Sequence, residues 1–387
     1  MKGIEVRLAD ICEVITKGTT PSNIGEEFTT DGVRYIRSEM INSSKNISEE
    51  GVLYISEETH DKLKRSQLKS GDILFSMAGV YLGKTAILRE RDVPANTNQA
   101  VALIRVNPKK CNREYIYYFL NLPAIVKSVN SMTAQAAQPN INLRQIGNIP
   151  IVLPPQKVQD RVVAVISPYD DLIENNQKQI KLLEEAAQRL YKEWFVDLRF
   201  PGHETTPIVD GVPEGWTWGT LADIAVFRRG KTITKDQVKA GIIPVVAGGL
   251  EPAYYHDTPN TNVPVVTVSG SGANAGFTRM YHTKVWASDC SYIDAAVTKN
   301  TAWVYCFLKG NKASIDAMQK GAAQPHVYAK DLNAMKALFP DDKLMEQFRV
   351  IADPMFTRIG KLDMQIKRLA EARDRLLPKL MSGEIEV

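Results

Sequence analysis

Cysteine is scarce in this sequence. Its 387 residues contain four, Cys12, Cys111, Cys290 and Cys306, and no two of them form a CxxC pair. That excludes a redox dithiol or a zinc ribbon and points to reduced core thiols in a cytoplasmic protein. Histidine is as sparse: His60, His203, His256, His282 and His326 fall at no metal-ligand spacing, so no metal site is expected. No run of about 18 apolar residues exists, which speaks against a membrane-spanning helix. The opening MKGIEVRLADICEV carries charges where a secretory signal needs an apolar stretch. Catalytic signatures are missing too. There is no glycine-rich cofactor loop of the methyltransferase kind, no NPPY- or DPPY-like run for handling a flipped base, no D…ExK nuclease cluster and no helicase motif. The chain is expected to be non-catalytic and to hold no cofactor.

What is present is an ordinary globular composition, 44% hydrophobic, with a net charge of +4 and a pI near 8.6. Mild basicity permits binding to a polyanion without demanding it. Two long helical stretches dominate, residues 167–195 and 353–381. Each opens with a potential N-cap and a proline, Ser167-Pro168 and Asp353-Pro354, where the missing proline N–H costs nothing. In the first, Ile173, Asn176, Ile180, Leu183, Ala187, Leu190 and Trp194 alternate steps of three and four. In the second, Ile359, Leu362, Ile366, Leu369, Arg373, Leu376 and Leu380 do the same. This is the a/d seam of a coiled coil, and each helix is the natural partner of the other. Asn176 and Arg373 are the polar members, of the kind that sets register.

The chain is an internal repeat. AAQP at residues 136–139 recurs 186 positions later at 322–325, and the same offset carries Ile146 onto Leu332, Pro154 onto Pro340, Pro168 onto Pro354 and Leu183 onto Leu369. LADI at residues 8–11 recurs at 221–224. Joints and helices are nearly constant, whereas the globular parts differ. The predicted architecture is α+β: mixed α/β heads at residues 1–155 and 201–341, alternating with helical regions at 156–200 and 342–387. The helices pair as an antiparallel two-helix stalk with pseudo-twofold symmetry. Predicted strands include residues 33–41, 70–79 and 148–155 in the first half, and 263–272 and 334–340 in the second. Helices are predicted at 113–120 and 302–308.

These landmarks resemble the DNA-specificity (S) subunit of type I restriction-modification systems. LYKEWFVDLRFPG, residues 190–202, is similar to the end of that family's central conserved region, and LLPKLMSGEIEV, residues 376–387, to its C-terminal end. QAAQPNINLRQIGNIPIVLPP, residues 135–155, resembles the end of a target-recognition domain, and GVPEGWTWGTLADI, residues 211–224, the start of the second. The resemblance covers essentially the whole chain. It implies two target-recognition domains that each read half of a split sequence in double-stranded DNA, and helices that hold the halves apart and dock two modification (M) subunits. Restriction (R) subunits would join through the complex. S-adenosylmethionine, ATP and Mg would belong to the partner subunits. A helix of this length spans roughly 40 Å, close to the roughly 34–36 Å of one turn of B-DNA.

Candidate DNA contacts follow from basic and amide residues in turns. In the first head they are Lys17, Thr19, Thr20, Arg34, Arg37, Lys84, Asn98, Gln99 and Gln138. In the second they are Arg228, Arg229, Lys231, Lys235, Ser271, Asn274, Arg279, Lys320 and Gln324. Gln138 and Gln324 occupy matched positions, which suits a shared structural role as well as base reading. AGVYLGKT, residues 78–85, fits a loose phosphate-loop pattern, but TAILRERDVP after it reads as a strand, whereas a phosphate loop must open a helix. A scaffold that joins other proteins and binds no DNA is the alternative reading.

Overall fold

The computed structural model describes residues 3–41, 45–49, 51–132, 139–321 and 325–387. The chain divides into two compact units, Met1–Ile173 with Arg368–Val387, and Glu174–Lys367.

Unit 1 carries strands β1 (Ile4–Arg7), β2 (Cys12–Lys17), β3 (Val33–Ile36), β4 (Leu53–Ile55), β5 (Ile73–Ser76), β6 (Thr85–Ile87), β7 (Ala95–Thr97), β8 (Val101–Val106) and β9 (Pro150–Leu153). They form a β1·β9 pair, a four-stranded sheet in the order β2-β8-β5-β6, and a three-stranded sheet in the order β4-β3-β7. β5 and β8 are almost wholly buried and rich in aliphatic residues, as strands covered on both faces must be. Short helices α1 (Glu57–Lys62), α2 (Arg113–Leu120), α3 (Pro123–Ser131) and α4 (Leu143–Gly147) complete the head. Asn112 caps α2 by accepting from the N–H groups of Glu114 and Tyr115. Residues 115–120 of α2 are all buried, in one core with Leu377, Leu380 and Met381.

Unit 2 repeats this plan after a small hairpin, β10 (Ile208–Val209) and β11 (Val212–Pro213). Its strands are β12 (Thr217–Thr220), β13 (Arg228–Arg229), β14 (Ile243–Val246), β15 (Tyr254–His256), β16 (Val265–Ser269), β17 (Thr278–Tyr281), β18 (Trp286–Ala287), β19 (Cys290–Asp294) and β20 (Lys336–Phe339). The pairings are β12·β20, β13-β19-β16-β17 and β15-β14-β18, the unit 1 orders strand for strand. The joints repeat as well: Leu8 N–H donates to the Ile149 carbonyl at 3.0 Å, and Leu221 N–H to that of Met335 at 2.8 Å. The order of the helices that follow β19 also matches, with α6 (Thr301–Gly310), α7 (Lys312–Ala317) and α8 (Ala329–Asn333).

The two long helices start earlier than their sequence caps imply. α5 spans Gln156–Tyr191 and α9 spans Asp342–Ser382, with a closing π turn at Lys192–Val196 after α5. Ser167 and Asp353 are therefore helix interior, not N-caps. The apolar stripe runs straight through each proline. Val162 and Ile166 are fully buried before Pro168, and Leu344, Phe348 and Ala352 are buried before Pro354. That packing offsets the roughly 3 kcal/mol that an interior proline costs.

Within each unit the α5 and α9 segments pack antiparallel. In unit 1 Arg373 reaches Asp170, and in unit 2 Asn176 reaches Gln365 and Gln179 reaches Arg358. Of the seam positions, Asn176, Ala187, Trp194, Ile359, Leu362 and Leu380 are buried. Ile173, Ile180, Leu183, Leu190, Ile366, Leu369, Arg373 and Leu376 are half-buried.

Candidate nucleic-acid interface

In unit 1 most of the basic and amide candidates meet at one end of the four-stranded sheet. β2 ends at Lys17, opposite Ala102 of β8, and β5 ends at Ser76, opposite Val101. The chain leaving β2 turns at Gly18, whose N–H donates to the Asn98 carbonyl at 3.0 Å. A Cβ on Gly18 would lie 1.7 Å from the Thr97 carbonyl oxygen, so only glycine allows these loops to touch. Thr19 accepts from the Tyr35 hydroxyl through its carbonyl, and Thr20 Oγ1 donates to Gln99 Oε1 at 2.5 Å. The β5–β6 corner adds Lys84, whose Nζ sits 4.8 Å from the centre of the Tyr81 ring. Gly79 N–H donates to the Pro139 carbonyl at 3.1 Å, which brings the start of the 139–149 segment to the same edge.

Unit 2 builds the same edge from different residues. β13 ends at Arg229, opposite Ser291 of β19, and β16 ends at Ser269, opposite Cys290. Gly230 takes the place of Gly18: a Cβ there would lie 2.2 Å from the Ser288 carbonyl oxygen. Gly272 N–H donates to the Pro325 carbonyl at 3.1 Å, as Gly79 does to Pro139. Lys231 Nζ lies 5.9 Å from the Trp286 ring centre, and the Trp286 indole N–H donates to the Lys231 carbonyl at 2.8 Å. The Asn274 carbonyl closes the β16–β17 corner by accepting from Phe277 N–H.

The candidates differ in how free their charge is. Arg34 is paired with the buried Asp92 at 3.5 Å, Arg37 with Glu39 at 2.8 Å, and Lys320 with Asp331 at 2.9 Å. Arg279 donates to the Leu250 carbonyl at 3.0 Å and lies over the Tyr281 ring. These four are spent largely on the fold. Among the described residues, Lys17, Lys84, Arg228, Arg229, Lys231 and Lys235 form no ion pair, and the last four are exposed. Free cations on one edge are what phosphate binding needs. Gln138 and Gln324 lie outside the described residues. One polar residue of this edge escaped the sequence reading: Asp289, between β18 and β19, which accepts from Ser271 Oγ.

Residues 78–85 form a strand–turn–strand corner, with a single short turn at Gly79–Tyr81 before β6. Burial pushes the Cys12 and Cys290 thiols up to about 12 and the Cys111 thiol to about 11, so they are poor nucleophiles near neutral pH. Among the described residues no group of three or more His, Cys, Asp or Glu is placed to hold a metal ion, and no helix is long and apolar enough to cross a membrane.

Each head is anchored to the long helices within its own unit. In unit 1, Tyr118 donates to Asp170 at 2.6 Å, and Arg373 closes on the same carboxylate at 2.6 Å. Burial opposes the Arg373 charge, but the Asp170 and Asp374 carboxylates outweigh it and hold the guanidinium above its ordinary value. At the repeat-related positions of unit 2 the pair becomes Phe356 and Ala187, both buried, and Tyr305 packs edge-on against Phe356 at 5.4 Å.

Comparison with known proteins gives this geometry its context. Residues 1–185 match the family of the type I restriction modification DNA specificity domain. The chain is 25% identical to the type I restriction enzyme MjaIX specificity subunit of Methanocaldococcus jannaschii, over 98% of this chain and 93% of the relative. It is 26% identical to the putative MjaX specificity subunit of the same organism, over 99% and 94%. Among solved structures, the S subunit of a type I restriction-modification system from M. genitalium aligns over 98% of this chain and 96% of that one, with a TM-score of 0.60 at 15% identity, a likeness of fold. Residues 1–185 thus match the type I restriction modification DNA specificity domain, and the chain over nearly its whole length is similar to specificity subunits of type I restriction enzymes.

Proposed function

We propose that this chain reads a bipartite target in double-stranded DNA, one half with each unit, and directs two modification subunits to it. The observation that carries the reading is the repeated strand-end edge. Two different sets of polar and basic residues are held by the same glycine contact, the same corner and the same proline carbonyl. A scaffold conserved between copies with a divergent reading edge is what two independent half-site readers require. The long helices pass from one unit into the other and set the spacing between the half-sites.

A second feature supports the modification subunits as partners. Glu185, Ala186 and Arg189 are exposed on α5, with Leu190 half-buried beside them, and they recur 186 positions on as Glu371, Ala372, Arg375 and Leu376. Inward-facing positions of the same helices have changed (Asp170 against Phe356, Ala187 against Arg373), yet this surface stripe has not. A surface kept alike in two copies suits two identical partners. In unit 2 it borders a cleft of about 440 Å³ that includes Leu182, Ile351 and Met355. Methyl transfer and cleavage then reside on the partners, with S-adenosylmethionine, ATP and Mg bound there, and restriction subunits join through the modification subunits in the cytoplasm.

The test is DNA binding by the chain assembled with its modification subunits, across a salt series. Lys231→Ala is expected to weaken binding to all sequences alike and to lower the slope of log affinity against log salt by about one. Assembly with the partners but no binding to any DNA pool would favour a pure scaffold.

A further inference from the structure

Each reading edge carries one polar side chain clamped by a hydroxyl from a neighbouring loop. In unit 1 it is the exposed Gln99, whose Oε1 accepts from Thr20 Oγ1. In unit 2 it is Asp289, whose Oδ2 accepts from Ser271 Oγ. Both sit on the short connection between the parallel strand of the small sheet and the central strand of the large one, from β7 to β8 and from β18 to β19.

The two clamps leave opposite polarity outward. With its oxygen engaged, Gln99 has its amide N–H groups to offer, so it presents a donor. Asp289 has only acceptor oxygens, and Ser271 occupies one of them. A carboxylate is out of place in a phosphate-binding cluster, because it repels phosphate. Nor does it serve there to neutralise a cation. Arg228, Arg229, Lys231 and Lys235 belong to the adjoining β13 segment, yet none forms an ion pair with Asp289. What an acceptor-only group at such an edge can recognise is an amino group on a base.

We propose that Asp289 and Gln99 set the readout polarity of the two half-sites. Asp289 accepts from an exocyclic amino group, best matched by cytosine N4 in the major groove, and Gln99 donates to a base acceptor such as guanine O6 or thymine O4. Ser271 and Thr20 are positioning residues that hold each side chain in one rotamer before DNA arrives, which lowers the ordering cost of the contact. This inference rests on the reading that both strand-end edges face DNA.

The experiment is selection from a random duplex pool by the full chain assembled with its modification subunits. Asp289→Asn keeps the shape and the acceptor for Ser271 but adds a donor. It is expected to change the preferred base at one position of one half-site by roughly tenfold or more, leaving the base preferences of the other half-site as in wild type. Gln99→Glu makes the reciprocal change in the other half-site alone. Asp289→Ser removes the carboxylate without added bulk and loses discrimination at the same position. Selection of the wild-type motif by all three variants, at normal binding strength, overturns the proposal and leaves DNA reading intact. Failure of the wild-type assembly to enrich any sequence overturns the underlying reading instead.

Discussion

Asp170 and Arg373 show what one pair of residues does in this fold. Their side chains are 5% and 20% exposed, and the Tyr118 hydroxyl completes the site. Removing one partner leaves a charge without compensation in a low-dielectric setting. Asp170→Ala or Arg373→Leu alone should therefore cost about 3–5 kcal/mol, read as a shift in the denaturant midpoint. The double change Asp170→Phe with Arg373→Ala copies the unit 2 solution and should recover most of that loss. A second residue-scale effect concerns His282, which stacks on Phe356. Burial holds its imidazole below the ordinary value, against a weaker opposing pull from Asp363. The folded state thus binds the proton less readily than the unfolded chain. The stability from neutral His282 is complete above the unfolded value of about 6.5 and is lost as pH falls through the lower folded value. Between pH 7.5 and 5.5, wild type should lose more stability than His282→Phe. Equal losses would contradict this.

At the scale of elements, Gly360 in the middle of α9 shows packing overriding propensity. Alanine in place of glycine ordinarily gains a helix up to about 1 kcal/mol. Here an added Cβ would lie 2.5 Å from His282 Cβ, so the helix and the segment after β17 could not keep their approach. Gly360→Ala is expected to destabilise by about 1–3 kcal/mol in denaturant unfolding. The same competition decides what the sequence reveals. The helix at 113–120 was legible from its aromatic-rich run REYIYYFL, and the exit strands from the prolines that close them. The starts of α5 and α9 were not, because Ser-Pro and Asp-Pro are strong local start signals, and the buried stripe that overrides them becomes decisive only in the packed fold. At the reading edge, Gly18 and Gly230 stood in visible glycine turns. The spending of Arg34 on Asp92 and of Lys320 on Asp331 was invisible, since those carboxylates lie 58 and 11 positions away and only the fold brings them near. Asp289 was missed because a search guided by positive charge passes over an acid.

At the scale of the whole molecule, duplication is the organising fact. Strand orders, joints, glycine contacts and the exposed helix stripe recur, while the side chains at the two reading edges differ. Under the proposed function, one half of the target can change without disturbing the other. The most direct measurement is genome-wide mapping of DNA methylation in cells carrying the intact system, with this chain either wild type or altered in the unit 2 edge by Arg229→Ala and Asp289→Asn together. The predicted result for wild type is a split motif with a fixed spacer, and for the variant a change or loss of definition in one half with the other half and the spacer unaltered. A contiguous motif, or simultaneous change of both halves, would contradict it.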